Sequence, residues 1–111
     1  MSLLFDDNTV QYAAYEEVNE RPHEANWSNQ LIGDSAAYGA AQAYEEHCEK
    51  VGEPDDKEFA NELIFGFISA GVYREIETRG LDFIDAESAK EIGRKAAQTA
   101  LAEKNGWDIN N

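Results

Sequence analysis

The chain has 111 residues, of which 42% are hydrophobic, and its 23 acidic side chains against 9 basic ones give a formal charge of -14. This length suits one domain with its own core, and the hydrophobic fraction exceeds that of a disordered acidic chain. Because nucleic acids and anionic lipids are themselves negatively charged, the composition predicts no nucleic-acid and no membrane partner.

The cysteine content and the first residues predict a cytoplasmic protein. Cys48 is the only cysteine, so no disulfide can form within the chain and a zinc site made of several cysteines is excluded. Residues 1–7 lack a positively charged segment, and their apolar run is too short for a signal peptide or a membrane anchor. A cytoplasmic location follows by default.

The first helix is predicted over residues 8–19. Asp6, Asp7 and Asn8 offer caps at its start, and apolar residues then recur at helical spacing. The helix should end before Pro22, because a residue that precedes proline disfavours helical geometry.

Residues 23–51 are predicted to be helical, as one helix or two, with Gly33 and Gly39 as weak points and Gly52 as the stop. The segment is rich in alanine and free of proline. A row of mostly small side chains would let another helix approach closely. This row consists of Ile32, Ala36, Ala40, Ala43 and His47.

The third helix is predicted to open with Pro54 in its first turn, together with Asp55 and Asp56, and to stop at Gly80. It carries the most hydrophobic stripe of the chain, so we expect it to be the buried central helix.

The last helix is predicted to run from a cap at Asp85 to about Lys104, and Gly106 should end it. Its apolar positions are mostly alanine, which places it on the surface of the bundle. Since no strand-like alternation appears, the predicted fold is an all-α single domain over residues 1–111, as a small four-helix bundle or an open helical array.

The common catalytic and cofactor motifs are missing. There is no glycine-rich phosphate loop, and His47 is the immediate neighbour of Cys48, which on a helix points it about 100 degrees away. The Glu-x-x-His spacing of di-iron bundles also fails, and one straight helix would hold His23 and His47 about 36 Å apart. No cofactor and no metal ligand set are therefore predicted.

Glu75 continues an apolar row of the third helix, where an unpaired carboxylate is costly. Its partner could be Arg79 at i+4, or His47 or Tyr44 from the neighbouring helix. Five aromatic side chains are interpreted as core or subunit contacts rather than as a cofactor site. They are Tyr12, Tyr15, Trp27, Tyr38 and Tyr44.

Several short runs, in their order and spacing, resemble the fungal CipC-like antibiotic-response family, the concanamycin-induced proteins. The runs are His23-Glu24-Ala25, Gln30-Leu31-Ile32-Gly33, Ala43-Tyr44-Glu45-Glu46-His47, Gly52-Glu53-Pro54, Phe59-Ala60-Asn61-Glu62-Leu63, Gly66-Phe67 and Glu77-Thr78-Arg79-Gly80-Leu81-Asp82. The resemblance covers about residues 6–102. It departs at Asp56-Lys57, Gly71 and Tyr73, where relatives usually carry other residues.

The resemblance implies a small intracellular helical protein whose level rises when fungi meet antibiotics, stress or competitors. It implies no established biochemical activity. His23, Glu24, His47 and Glu77 are carried over only as motif positions without an assigned role.

Three hypotheses follow for the function. The leading one is a noncatalytic stress-response protein that acts as a homodimer or by binding a protein partner. The second is a small-molecule binder, or an enzyme acting on a toxic metabolite, that uses Tyr44, His47 and Glu75 in a groove between the second and third helices. The third is an acidic metal binder.

Overall fold

The computed structural model describes residues 4–107, and within this range the chain forms four α-helices joined by short loops, without any strand. The helices are α1 (Val10–Glu20), α2 (Asn29–Val51), α3 (Lys57–Arg79) and α4 (Ala86–Asn105). The predicted all-α fold is confirmed.

The helix ends follow local capping chemistry. A side-chain oxygen just before each helix accepts a hydrogen bond from a backbone N–H of the first turn, which satisfies a donor that would otherwise be unpaired. These four caps are Thr9, Ser28, Asp56 and Asp85. Gly80 and Gly106 end α3 and α4 in the left-handed conformation, with φ of 66° and 71°. Pro54 was predicted to lie in the first turn of α3, but it lies in the loop before it, because Asp56 is the cap.

The predicted segment 23–51 contains one helix rather than two. Ser28 accepts from the Leu31 N–H, so α2 begins only at Asn29, and the six residues before it form a turn and an extended stretch. Gly33 and Gly39 do not interrupt the helix. Tertiary contacts at these two glycines compensate for their low helix propensity.

The central helix is α2, so the prediction of a central α3 is wrong. Helix α2 packs against all three other helices, whereas α1 contacts α2 alone among the helices. Small side chains around α2 let neighbours approach from several directions. The greater hydrophobicity of α3 does not translate into greater burial, since Phe59 and Tyr73 of α3 are about half exposed.

Helices α2 and α4 approach each other closely where they cross. A Cβ atom added to Gly33 would lie 2.7 Å from the Ala89 carbonyl oxygen. One added to Gly93 would lie 2.9 Å from Cγ2 of Ile68 in α3 and 3.1 Å from the Gly33 carbonyl oxygen. Helix α4 was expected on the bundle surface, but its two-sided contact with α2 and α3 makes it a wall of the core.

Contacts between α2 and α3 show the relative direction in which these two helices run. Gly71 of α3 packs against Ala36 of α2, while Phe59 lies beside His47, so α3 runs antiparallel to α2. The loop before α4 is attached to α2 by the Asp85 N–H, which donates to Oδ1 of Asn29. Because α1 and α3 both pack on α2 without contacting each other, an open cleft remains between them.

Candidate functional site: a cleft between α1 and α3

The cleft between α1 and α3 has a volume of about 350 Å³. Helix α2 forms its floor, and α1 and α3 form its two walls. We refer to it as the α1–α3 cleft. It is lined most notably by Tyr15 and Asn19 of α1, by Ser35, Gly39, Gln42 and Ala43 of α2, and by Phe67, Arg74 and Glu75 of α3.

Small side chains explain why the floor is open. The row of small residues predicted along α2 does receive α3 at Ala36, where Gly71 packs closely. Further along α2, a Cβ added to Gly39 would meet the Tyr15 ring of α1 at 3.5 Å, and Ala43 lines the cleft. The close approach predicted from this row is therefore confirmed at Ala36.

Aromatic rings stand on both walls. The Tyr15 ring packs on the Tyr38 ring, with centroids 4.8 Å apart, and the Tyr12 ring lies 5.3 Å from Tyr38 on another side. This stack holds Tyr15 in place beside Gly39. Phe67, which is half-buried, lines the opposite wall. The walls can therefore receive a flat apolar group from two sides.

The hydroxyl of a largely buried residue lies in the floor of the cleft. Ser35 is 5% exposed and lines the cavity, and its side chain makes no hydrogen bond to any residue between 4 and 107. Its oxygen is not among the buried side-chain atoms that lack a partner in this part of the chain, so solvent in the cleft reaches it. The Ser35 hydroxyl is thus available to a molecule in the cleft.

The charge of the cleft comes from Arg74. Glu75 pairs with Arg79 at 2.5 Å, as the i+4 spacing predicted, and the Arg79 guanidinium lies 5.3 Å from the centre of the Trp27 ring. Within residues 4–107, Arg74 has neither an ion pair nor a hydrogen bond through its side chain. The adjacent carboxylate is therefore neutralised, while the guanidinium is not.

Tyr44, one of the predicted site residues, lies in a different cavity. Tyr44 is 2% exposed and hydrogen-bonds to Cys48, and both line a cavity of about 270 Å³ near Lys104. Burial raises the pKa of the Tyr44 hydroxyl well above its ordinary value. Burial also raises the pKa of the Cys48 thiol, although its hydrogen bond with Tyr44 works in the opposite direction.

His47 lies near the C-terminal end of α2, far from Glu75 of α3. It is half-buried in a cavity at the turn between α2 and α3, beside Val51 and Phe59. The helical rise of about 1.5 Å per residue puts His47 roughly 16 Å beyond Ala36, the α2 residue that packs against the α3 turn preceding Glu75. The structure therefore does not bring Tyr44, His47 and Glu75 into one groove.

The other motif positions are dispersed on the surface. His23 and Glu24 are exposed in the loop before α2, so no helix joins His23 to His47. Glu77 is exposed near the end of α3, beside Tyr73 and Gly80. Their roles stay predictions.

The described residues offer neither a metal-ligand cluster nor a membrane-spanning helix. Among residues 4–107, no three side chains of the metal-ligating types gather closely enough to hold an ion. In the same range, no helix is both long enough and apolar enough to cross a bilayer.

Sequence reasoning missed the residues that line the cleft. Ser35, Gln42 and Arg74 have no motif around them, and Tyr15 was interpreted only as a core or subunit contact. No sequence signal pointed to Arg74 either, because Glu77 at i+3 is a possible ion-pair partner for it.

The fold and the cleft define a small all-α protein in which three helices surround a central one and leave a lined cavity between two of them. Residues 14–104 match the sequence model of the family described as virulence factor CipC-like, so the chain belongs to that family. No curated protein and no solved structure matches the chain.

Proposed function

We propose that this CipC-like protein is a noncatalytic binding protein that holds a small aromatic molecule in the α1–α3 cleft. It would act in the cytoplasm when the cell meets an antibiotic or another stress. The observation that carries the proposal is a cleft with an aromatic ring on each wall and the hydroxyl of Ser35 in its floor. Polar groups that converge beside aromatic walls are typical of ligand sites.

The side chains of the cleft favour binding over catalysis. Its titratable lining residues are Tyr15, Arg74 and Glu75. A general base needs a free lone pair near the reacting proton, and the Glu75 carboxylate is already paired with Arg79. The lining contains no histidine or cysteine that could replace it.

The size of the cleft limits the ligand. A volume of about 350 Å³ lies at the lower end of the range for small-molecule sites, roughly 300 to 1,000 Å³. We therefore expect a molecule with two or three rings rather than a large macrocycle.

A fluorescent probe tests this proposal directly. N-phenyl-1-naphthylamine is uncharged, has three rings and becomes fluorescent in an apolar site. We expect saturable binding of one probe per chain. Gln42→Trp should abolish this binding, because the indole would fill the cleft from its floor.

Gln98→Trp is the matched control. Gln98 is also a half-exposed glutamine in the middle of a helix, but it does not line the cleft. It should leave the probe affinity unchanged. Equal losses in both variants, or no saturable binding to the original protein, would contradict the proposal.

Self-association is a second candidate function, favoured by the outer face of α3. This face carries the half-exposed Phe59 and Tyr73 and, between them, Gly66, where an added Cβ would meet nothing within 4 Å. A flat centre with aromatic rings at both ends suits the close approach of a second α3 helix.

A further inference from the structure

We propose that the α1–α3 cleft selects aromatic anions, with the ring system between Tyr15 and Phe67 and the acidic group on the Arg74 guanidinium. This inference rests on the proposed function, since it names the ligand class for the same site. It concerns ligands with a carboxylate or sulfonate group attached to a ring system.

The charge pattern of the cleft points to an anion. The chain carries a formal charge of -14, so most of its surface repels anions. Arg74 nevertheless lines the cleft with no carboxylate paired to it among residues 4–107. Its neighbour Glu75 is paired with Arg79 and is therefore prevented from neutralising Arg74.

The geometry of the guanidinium adds specificity. Arginine presents a planar fork of donors that matches the two oxygens of a carboxylate or sulfonate, and such charge-assisted hydrogen bonds are stronger than neutral ones. The Ser35 hydroxyl in the floor provides one further polar contact to the ligand. The two aromatic walls bind the ring system whatever its charge.

Two probes with the same ring system distinguish the contribution of the anionic group to binding from that of the rings. 1-Anilinonaphthalene-8-sulfonate has the ring system of N-phenyl-1-naphthylamine with one sulfonate added. We expect Arg74→Gln to weaken sulfonate binding about tenfold, as the loss of one charge-assisted hydrogen bond implies, and to leave binding of the neutral probe unchanged. Arg74→Lys, which keeps the charge but loses the fork, should give an intermediate loss.

Arg21→Gln is the control for net charge. Arg21 is exposed and lies outside the cleft, and its removal changes the total charge by the same amount. It should leave the affinities of both probes unchanged. Near-UV circular dichroism of each variant verifies that the folded structure is retained.

The outcomes distinguish this inference from the proposed function. If Arg74→Gln weakens both probes equally or neither of them, the anion selectivity is wrong while the binding cleft stands. If the neutral probe does not bind to the cleft at all, the proposed function fails and this inference fails with it. An equal effect of Arg21→Gln on sulfonate binding would also overturn it, because the effect would then come from net charge alone.

Discussion

Cys48 illustrates how a single residue takes its reactivity from its surroundings. The thiol lies half-buried against the fully buried Tyr44, and its burial raises its pKa. Since the thiolate is the reactive form, a raised pKa makes the thiol a poor nucleophile at neutral pH.

The first prediction concerns the chemistry of this thiol. We expect folded protein at pH 7.5 to react with Ellman's reagent about tenfold more slowly, or slower still, than protein unfolded in guanidinium chloride at the same pH. The measurement is the rate of absorbance change under both conditions. Equal rates would mean that burial does not protect Cys48.

The same pKa direction has a consequence for stability. Because the folded thiol holds its proton to a higher pH than the unfolded one, the folded state is favoured below the ordinary thiol pKa, and this contribution is lost as pH rises through the folded pKa. We therefore expect the free energy of unfolding to fall above about pH 8.5. Cys48→Ala should make that fall shallower in urea titrations.

At the residue scale, an ion pair was predictable only where its two residues are close together in the sequence. Glu75 and Arg79 lie four residues apart on one helix, so their ion pair followed from the helical period. The position of Arg74 beside a cleft depends on where α1 packs, and no short-range pattern in α3 contains that information.

At the scale of helices, a comparison of two glycines distinguishes the effect of helix propensity from the effect of packing. Gly33 and Gly66 both lie inside helices, and alanine at either position would gain about 1 kcal/mol of helix propensity. A Cβ at Gly33 would press on the Ala89 carbonyl oxygen at 2.7 Å, whereas a Cβ at Gly66 would face open space.

The prediction for these glycines is a difference in sign. Gly33→Ala should lower the free energy of unfolding by up to about 2 kcal/mol, because overpacking outweighs the gain in propensity. Gly66→Ala, the matched control, should raise it by up to about 1 kcal/mol. Urea unfolding monitored by circular dichroism measures both changes. If the two variants shift stability in the same direction, the close crossing of α2 and α4 is wrong.

Helix ends and helix burial differed in how well they could be predicted. Gly80, Asp85 and Gly106 end or begin helices as expected, since capping involves hydrogen bonds within a few residues. The central position of α2 was not expected, because hydrophobicity suggested α3. The small side chains that lowered the hydrophobicity of α2 are what allow three helices to surround it.

At the scale of the whole molecule, net charge controls association. Two copies that each carry -14 repel one another, and dissolved salt screens that repulsion over a distance of about 10 Å at 0.1 M ionic strength. If the outer face of α3 mediates self-association, the dimer should therefore strengthen when the salt concentration rises.

The corresponding prediction is tested by sedimentation equilibrium at 50 mM and 500 mM sodium chloride. The lower concentration screens the repulsion between copies weakly and the higher one screens it strongly. We expect a dimer that tightens at the higher concentration and is abolished by Phe59→Ser. Phe83→Ser is the control, because Phe83 is 66% exposed but lies in the loop after α3. A monomer under all conditions would remove the second candidate function.

By itself, the sequence determined the all-α class, the approximate helix positions and the caps at Gly52, Gly80, Asp85 and Gly106, and it offered Arg79 as one candidate partner of Glu75. Each of these depends on residues close together along the chain. Only the tertiary structure decided that α2 is central, that Tyr44, His47 and Glu75 lie apart, and that Tyr15, Ser35 and Arg74 line one cleft. Those features depend on which helices pack together and in which direction. Such packing is set by the shapes of whole helix faces, as at the crossing of Gly33 and Gly93, and a local pattern does not specify it.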